Sequence, residues 1–165
     1  MNLLLGCIFG LLIIYLLRRA FDRRAKPVPS DSCPPNAIVV DGSNVMHWGG
    51  DPSAKVLAGV VANLVKSGLS PIVVFDASAG YRLSGRYMHH AEMASIAGAP
   101  REHVYVVDKG VVADEVILDL AKTHGLRVVS NDRYRDWSVQ FPLVKKRGRM
   151  KRGTWKGGNV IWTKT

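Results

Sequence analysis

The chain has little cysteine and, over residues 145–165, no acidic residue at all. Cys7 and Cys33 are its two cysteines. Two cannot build a disulfide framework, and neither has a second cysteine at metal-ligand spacing. The histidines (His47, His89, His90, His103, His124) have no such spacing either. No Gly-x-Gly-x-x-Gly or Walker sequence is present, which argues against a nucleotide cofactor. Ser43, Ser78 and Ser84 lack the Gly-x-Ser-x-Gly setting of a serine hydrolase. There is no internal repeat. With 47% hydrophobic and 22% charged residues among 165, disorder is excluded for the bulk of the chain. A reduced globular part of one-domain size remains.

Charge is unevenly placed. The net charge is +10. Residues 18–26 carry +4 and residues 145–165 carry +8, which leaves 27–144 at −2. From Leu3 to Leu17 every residue is apolar or glycine, and Arg18-Arg19 follow at once. At about 1.5 Å per residue a helix up to Leu17 reaches roughly 25 Å, and snorkelling arginines extend it toward a hydrocarbon core of about 30 Å. A cleaved signal peptide would carry bases before the apolar run and small residues after it; here the order is reversed. The expectation is a single-pass anchor over residues 1–19. The bases after it place the rest of the chain in the cytoplasm. Residues 20–36 read as a basic and Pro-rich linker, and the soluble domain begins near Ala37.

Within residues 37–165 apolar runs alternate with helical periodicity. Ala37–Asp41, Pro71–Asp76, His103–Asp108 and Leu126–Ser130 read as buried parallel strands. Ser53 caps a helix through Val56, Leu57, Val60, Val61, Leu64 and Val65, with Gly68 past its end. A weaker helical pattern covers Arg86–Ile96. Val112, Val116, Ile117, Leu120 and Ala121 share the face of another helix, ended by Gly125. Asn159–Thr163 reads as a last strand at the sheet's edge. The fold class is α/β, a three-layer Rossmann-like domain with a mainly parallel sheet, preceded by one transmembrane helix.

Acids recur where such sheets bind ligands, beyond the carboxyl ends of strands. Asp41, Asp76, Asp108 and Asp132 end or just follow apolar runs, Asp114 opens a helix, and Asp136 lies four residues after Asp132. One acid after a strand is ordinarily a turn or cap residue, and Asp114 and Glu115 suit a helix N-terminus with no further role. Several converging acids repel one another unless a cation offsets them. An all-oxygen site of this kind takes Mg2+ or Mn2+, which delivers hydroxide and stabilises charge on a scissile phosphate. If Asp132–Asp136 forms a helical turn, both carboxylates point the same way.

Three strings sharpen this reading: Asp41-Gly42-Ser43-Asn44-Val45, Ala113-Asp114-Glu115, and Ser130-Asn131-Asp132-Arg133-Tyr134-Arg135-Asp136. Together they resemble the NYN group of PIN-like ribonucleases, and the Regnase branch in particular. The resemblance implies that Asp41, Asp114, Asp132 and Asp136 hold the metal and that Asn44 is a polar helper near the phosphate. Ser43 and Arg133, inside the same strings, are candidate substrate-binding residues. Glu115 and Asp76 match less closely. Residues 1–165 contain no CCCH zinc-finger string, so the expectation is a domain without that branch's RNA-binding appendage.

The segment around Lys145, Lys146, Arg147, Arg149, Lys151, Arg152 and Trp155 interleaves bases with glycine and a stacking ring, as single-stranded nucleic acid requires. Anionic lipid is the other ligand such a segment suits. Trp48 is a second candidate for stacking, or ordinary loop packing. The expected function is a membrane-anchored, metal-dependent endoribonuclease acting on single-stranded RNA, with self-association left open. Two alternatives stay open: a DNA or structure-specific nuclease with the same metal site, and a non-catalytic membrane-associated RNA-binding protein.

Overall fold

The structure is a computed structural model and describes residues 33–164. The expected anchor at residues 3–17 and most of the linker lie outside the described residues. Among those described, no helix is long and apolar enough to cross a membrane.

Five short strands form one all-parallel sheet: β1 (Ala37–Asp41), β2 (Ser70–Phe75), β3 (Val104–Val106), β4 (Val128–Val129) and β5 (Met150–Lys151), in the order β3-β2-β1-β4-β5. Alternation along the strands divides the core in two. Ile38, Val40, Val73, Phe75 and Val129 face one layer; Val39, Ile72, Val74 and Val128 face the other. The first layer is built from α1 (Gly42–Val45), α2 (Ala54–Lys66), α3 (Ala79–Ser84) and α4 (His90–Ala97). The second is α5 (Ala113–Thr123) with the irregular segment around Tyr134 and Phe141. This is the expected three-layer α/β architecture. Residues of a strand buried on both faces must be apolar throughout, which is why AIVVD and SPIVVF read as continuous runs.

Three local expectations are corrected. The expected Arg86–Ile96 helix starts only at His90, as α4; residues 86–89 are not helical, and the separate short helix α3 before them is closed by Gly85, whose φ of 73° turns the chain. The Asp132–Asp136 helical turn does not form, because Tyr134 adopts φ 47°, ψ 42° and breaks it. The last strand does not reach the sheet's edge. That place belongs to β5, while β7 (Asn159–Trp162) pairs antiparallel with β6 (Gly153–Lys156) as a separate hairpin. Gly157 and Gly158, with φ of 58° and 82°, supply the two positive-φ positions of a tight two-residue turn.

The hairpin is fastened to α2 by tryptophans. Trp162 Nε1 donates to Asn63 Oδ1 at 3.0 Å, and Trp48 meets the Trp162 ring edge-on at 5.8 Å between centroids. The Trp155 indole lies over Gly59 so closely that a Cβ there would overlap its six-membered ring. In a helix interior Gly→Ala ordinarily gains about 1 kcal/mol. Here the sign reverses: Gly59→Ala is expected to destabilise by about 1–3 kcal/mol through overpacking. In a Trp155→Ala background the same change becomes neutral or stabilising. Chemical denaturation of the full double-mutant cycle checks this; additive effects would rule the contact out.

Candidate active site

The strand order reverses between β1 and β4, since the chain leaves β1 toward β2 on one side and places β4 on the other. A crevice beyond the carboxyl ends of these two strands is where open α/β sheets bind ligands. Asp41 is the last residue of β1, and Ser130 to Asp136 directly follow β4. Asp41 is only 6% exposed. Its Oδ1 accepts the Asn44 backbone N–H at 3.0 Å, capping α1. Its Oδ2 accepts the Ser130 hydroxyl and the Tyr134 hydroxyl, each at 2.9 Å. Burial raises the Asp41 carboxyl from its ordinary 3.8 to about 6, with the three hydrogen bonds pulling it down and nearby Asp114 pushing it further up. Gly42 is required here because a side chain would run into the Phe75 ring.

Asn44 is fixed by its carbonyl. Oδ1 accepts the Trp48 indole N–H and the Asn131 backbone N–H, both at 2.9 Å. The amide N–H donors of Asn44 have no protein partner among the described residues. Asn131 in turn bonds Gly153 with both ends of its side chain, at 2.8 and 3.2 Å. Trp48 is buried, so ordinary packing is its role. Ser43 is turned toward the protein: its hydroxyl accepts the Asp76 backbone N–H at 2.9 Å. Burial pushes the Asp76 carboxyl up, but hydrogen bonds from Ser78 and Ser43, with Arg82 nearby, outweigh it and hold Asp76 below the usual range.

Asp114 stands in the first turn of α5, half-buried. Burial raises its carboxyl, Asp132 and Asp76 raise it further, and the Trp137 indole offsets only part of this. Asp132 is exposed; its Oδ1 accepts the Tyr134 backbone N–H at 2.6 Å, and its own N–H donates to Ser130 Oγ at 3.0 Å. Asp114 is thus the acid whose charge links the others: Asp132 and Asp76 raise it, and it raises Asp41. Asp136 is exposed and not among the groups that shift them, because the left-handed Tyr134 interrupts the turn that would align it with Asp132. Among the described residues no three acidic, histidine or cysteine side chains stand close enough to hold one metal ion as they are. The donor chemistry nonetheless fits a hard divalent cation, since it is oxygen-only and self-repelling.

The sequence itself, compared with known families, matches the Zc3h12a-like Ribonuclease NYN domain over residues 35–158. The chain belongs to this ribonuclease family. Two solved structures of nuclear protein-only RNase P 2 (PRORP2) from Arabidopsis thaliana share the fold of this NYN domain. One is 18% identical with a TM-score of 0.64, covering 94% of this chain and 35% of that one. The other is 20% identical with a TM-score of 0.61, covering 77% and 29%. The chain thus spans about a third of the length of the structures it matches. No curated protein matches the chain.

The basic residues of the NYN domain separate into groups. Arg133, Lys145 and Arg152 line one cleft. Lys146 and Arg147 are exposed. Arg149 donates to the Gly125 carbonyl, and the Lys151 ammonium sits 4.1 Å over the Trp162 ring. Burial, with Arg127 nearby, draws Lys151 below the ordinary lysine value. Trp155 packs on α2 rather than standing free to stack. Ser130 and Tyr134 are the site residues that sequence reasoning passed over. Both belong to the SNDRYRD string, in which only the acids and Arg133 stand out as chemistry-bearing residues.

The raised Asp41 carboxyl has a consequence for stability. Between about pH 4 and 6 the folded protein binds a proton there that the unfolded chain releases, so stability contributed at low pH is lost as pH rises through about 6. The loss is about 3 kcal/mol, and Asp114 adds in the same direction. In chelator, the melting temperature of the wild type relative to Asp41→Asn should fall across this window. A difference that rises with pH would refute the assignment.

Proposed function

We propose that this protein is a membrane-anchored, metal-dependent endoribonuclease that cuts single-stranded RNA. The observation that carries the metal dependence is Asp114: half-buried, raised by two neighbouring carboxylates, and with no cationic side chain among the groups that shift it. Asp114 and Asp132 would hold a Mg2+ or Mn2+ ion, with Asp41 contributing a remaining lone pair and Asp136 completing the set from the rim. When bound, such an ion lowers the pKa of water and offsets charge on the scissile phosphate.

The chain's own groups do the positioning. Asn44 offers its free amide N–H donors to a phosphate oxygen, because its carbonyl is held by Trp48 and Asn131. Tyr134 and Ser130 keep the Asp41 carboxylate from rotating. Hydrolysis leaves a 5′-phosphate and a 3′-hydroxyl. A crevice opening at the end of a sheet, flanked by bases, favours unpaired RNA, whose backbone can be drawn in. The Leu3–Leu17 run with Arg18-Arg19 after it supports the anchor and the cytoplasmic orientation.

One observation favours an RNA-binding domain without chemistry, namely that no three acids converge among the described residues. Asp132→Asn separates the readings. Its Oδ1 still accepts the Tyr134 N–H, so the fold is expected to survive, with metal-free melting raised by relief of repulsion on Asp114. Mn2+ should raise the melting temperature of the wild type and not of Asp114→Asn/Asp132→Asn. Cleavage of labelled RNA should be lost in either single variant. Wild-type cleavage by Asp132→Asn would reject the metal site. For the anchor, the full chain should resist carbonate extraction from membranes, and a reporter fused after Thr165 should report cytoplasm; a luminal or periplasmic signal would reverse the orientation.

A further inference from the structure

Beside the acids lies a cleft of about 480 Å³, lined by Arg133, Arg135, Ser138, Val144, Lys145 and Arg152 and open to solvent. Four cations and a hydroxyl converge there, and no carboxylate lines it. The one ion pair among the described residues, Arg86 with Glu92, involves none of them. Like charges gathered without a counter-charge repel, and an anion removes that cost. The volume falls within the range of about 300–1,000 Å³ that takes a nucleotide-sized ligand. No aromatic ring lines the cleft, so it offers nothing for a base to stack on. It suits phosphate and sugar. Guanidinium groups supply planar, paired donors for phosphate oxygens.

Its position decides what kind of phosphate. Arg152 Nη2 donates to the Asp132 backbone carbonyl at 3.3 Å, so the cleft wall and an active-site acid are joined through one residue. An anion seated in the cleft lies next to the acids. A polymer with repeating phosphates can occupy both places at once, whereas a lipid headgroup, presented singly from a plane, fills a recess poorly.

We propose that this cleft seats a backbone phosphate of single-stranded RNA flanking the bond to be cut, gripped by Arg133, Arg135, Lys145 and Arg152 without regard to base. The proposal rests on the ribonuclease reading above and narrows it. RNA passes through the cleft, and Arg149 and Lys151, already committed to Gly125 and to the Trp162 ring, stand outside its path.

The test uses the full chain in nonionic detergent, carrying Asp132→Asn so that RNA is bound without being cut, and a labelled single-stranded oligoribonucleotide. Adding Arg135→Gln/Lys145→Gln/Arg152→Gln should raise Kd at least tenfold, as expected when charge-assisted hydrogen bonds are lost. The log–log salt slope should fall by roughly 0.7, for the one phosphate released. Adding Arg149→Gln/Lys151→Gln instead should change Kd less than twofold. Lys145→Glu alone, at an exposed position, should weaken binding in the same direction, and circular dichroism reports the fold of each variant. Unchanged affinity and slope in the folded triple variant would overturn the proposal while leaving the ribonuclease reading intact. So would equal losses from the Arg149/Lys151 pair. Loss of binding to phosphatidylserine-containing vesicles with RNA affinity retained would give the cleft to the membrane and overturn it too. Absence of RNA binding by the parent chain would overturn both readings together.

Discussion

A single buried carboxylate ties the site together. Asp41 ends the central strand β1, caps α1 through the Asn44 N–H, and receives hydroxyls from Ser130 and Tyr134 beyond β4. A carboxylate withdrawn from water costs several kcal/mol unless donors satisfy it, so these three groups must arrive together. Their arrival fixes the distance between the two strand ends that bound the crevice. It also explains the unusual backbone of Tyr134. A tyrosine at positive φ is strained, and the strain is offset by burying the ring and by placing its hydroxyl on Asp41.

From that hub the site extends outward by backbone hydrogen bonds. Tyr134 N–H holds the Asp132 carboxylate, Ser130 Oγ holds the Asp132 N–H, and Asn131 joins both Asn44 and Gly153. The acids are therefore positioned by donors rather than by pairing with bases. Arginine and lysine are kept to one side, in the cleft by Lys145 and Arg152. Asp76 and Asp114 show how the same residue type is driven apart by surroundings. Donors hold Asp76 below its usual range, while burial and neighbouring carboxylates raise Asp114. On the proposed reading, a site taking both a cation and a polyanion would need this separation, since intermixed charges would neutralise one another.

The division of labour between sequence and fold is visible in particular elements. β1, β2, α2 and α5 are readable because they are buried on a defined face, and burial imposes period-two or period-3.6 patterning. α3 escapes such reading: six residues with a glycine near the start make too few turns to show a period. β5 escapes it too, because two residues suffice to extend a sheet already formed. The hairpin's place is set by Trp155 on Gly59 and Trp162 on Asn63, contacts between residues about a hundred positions apart.

Composition and short strings determined the fold class and the family, and made the acids candidates, because each of these is a matter of which residue follows which. Tertiary structure alone decided which groups share a site. Asp136 looked equivalent to Asp132 by spacing, yet the left-handed Tyr134 keeps the two from sharing one helical turn. Six bases and a tryptophan looked equivalent along the tail; folding tied Arg149, Lys151 and Trp155 to Gly125, Trp162 and Gly59 and gathered Lys145 and Arg152 with Arg133 and Arg135. The reason is physical. Hydrogen-bond satisfaction and aromatic packing are settled among residues distant in sequence, and no local pattern records them.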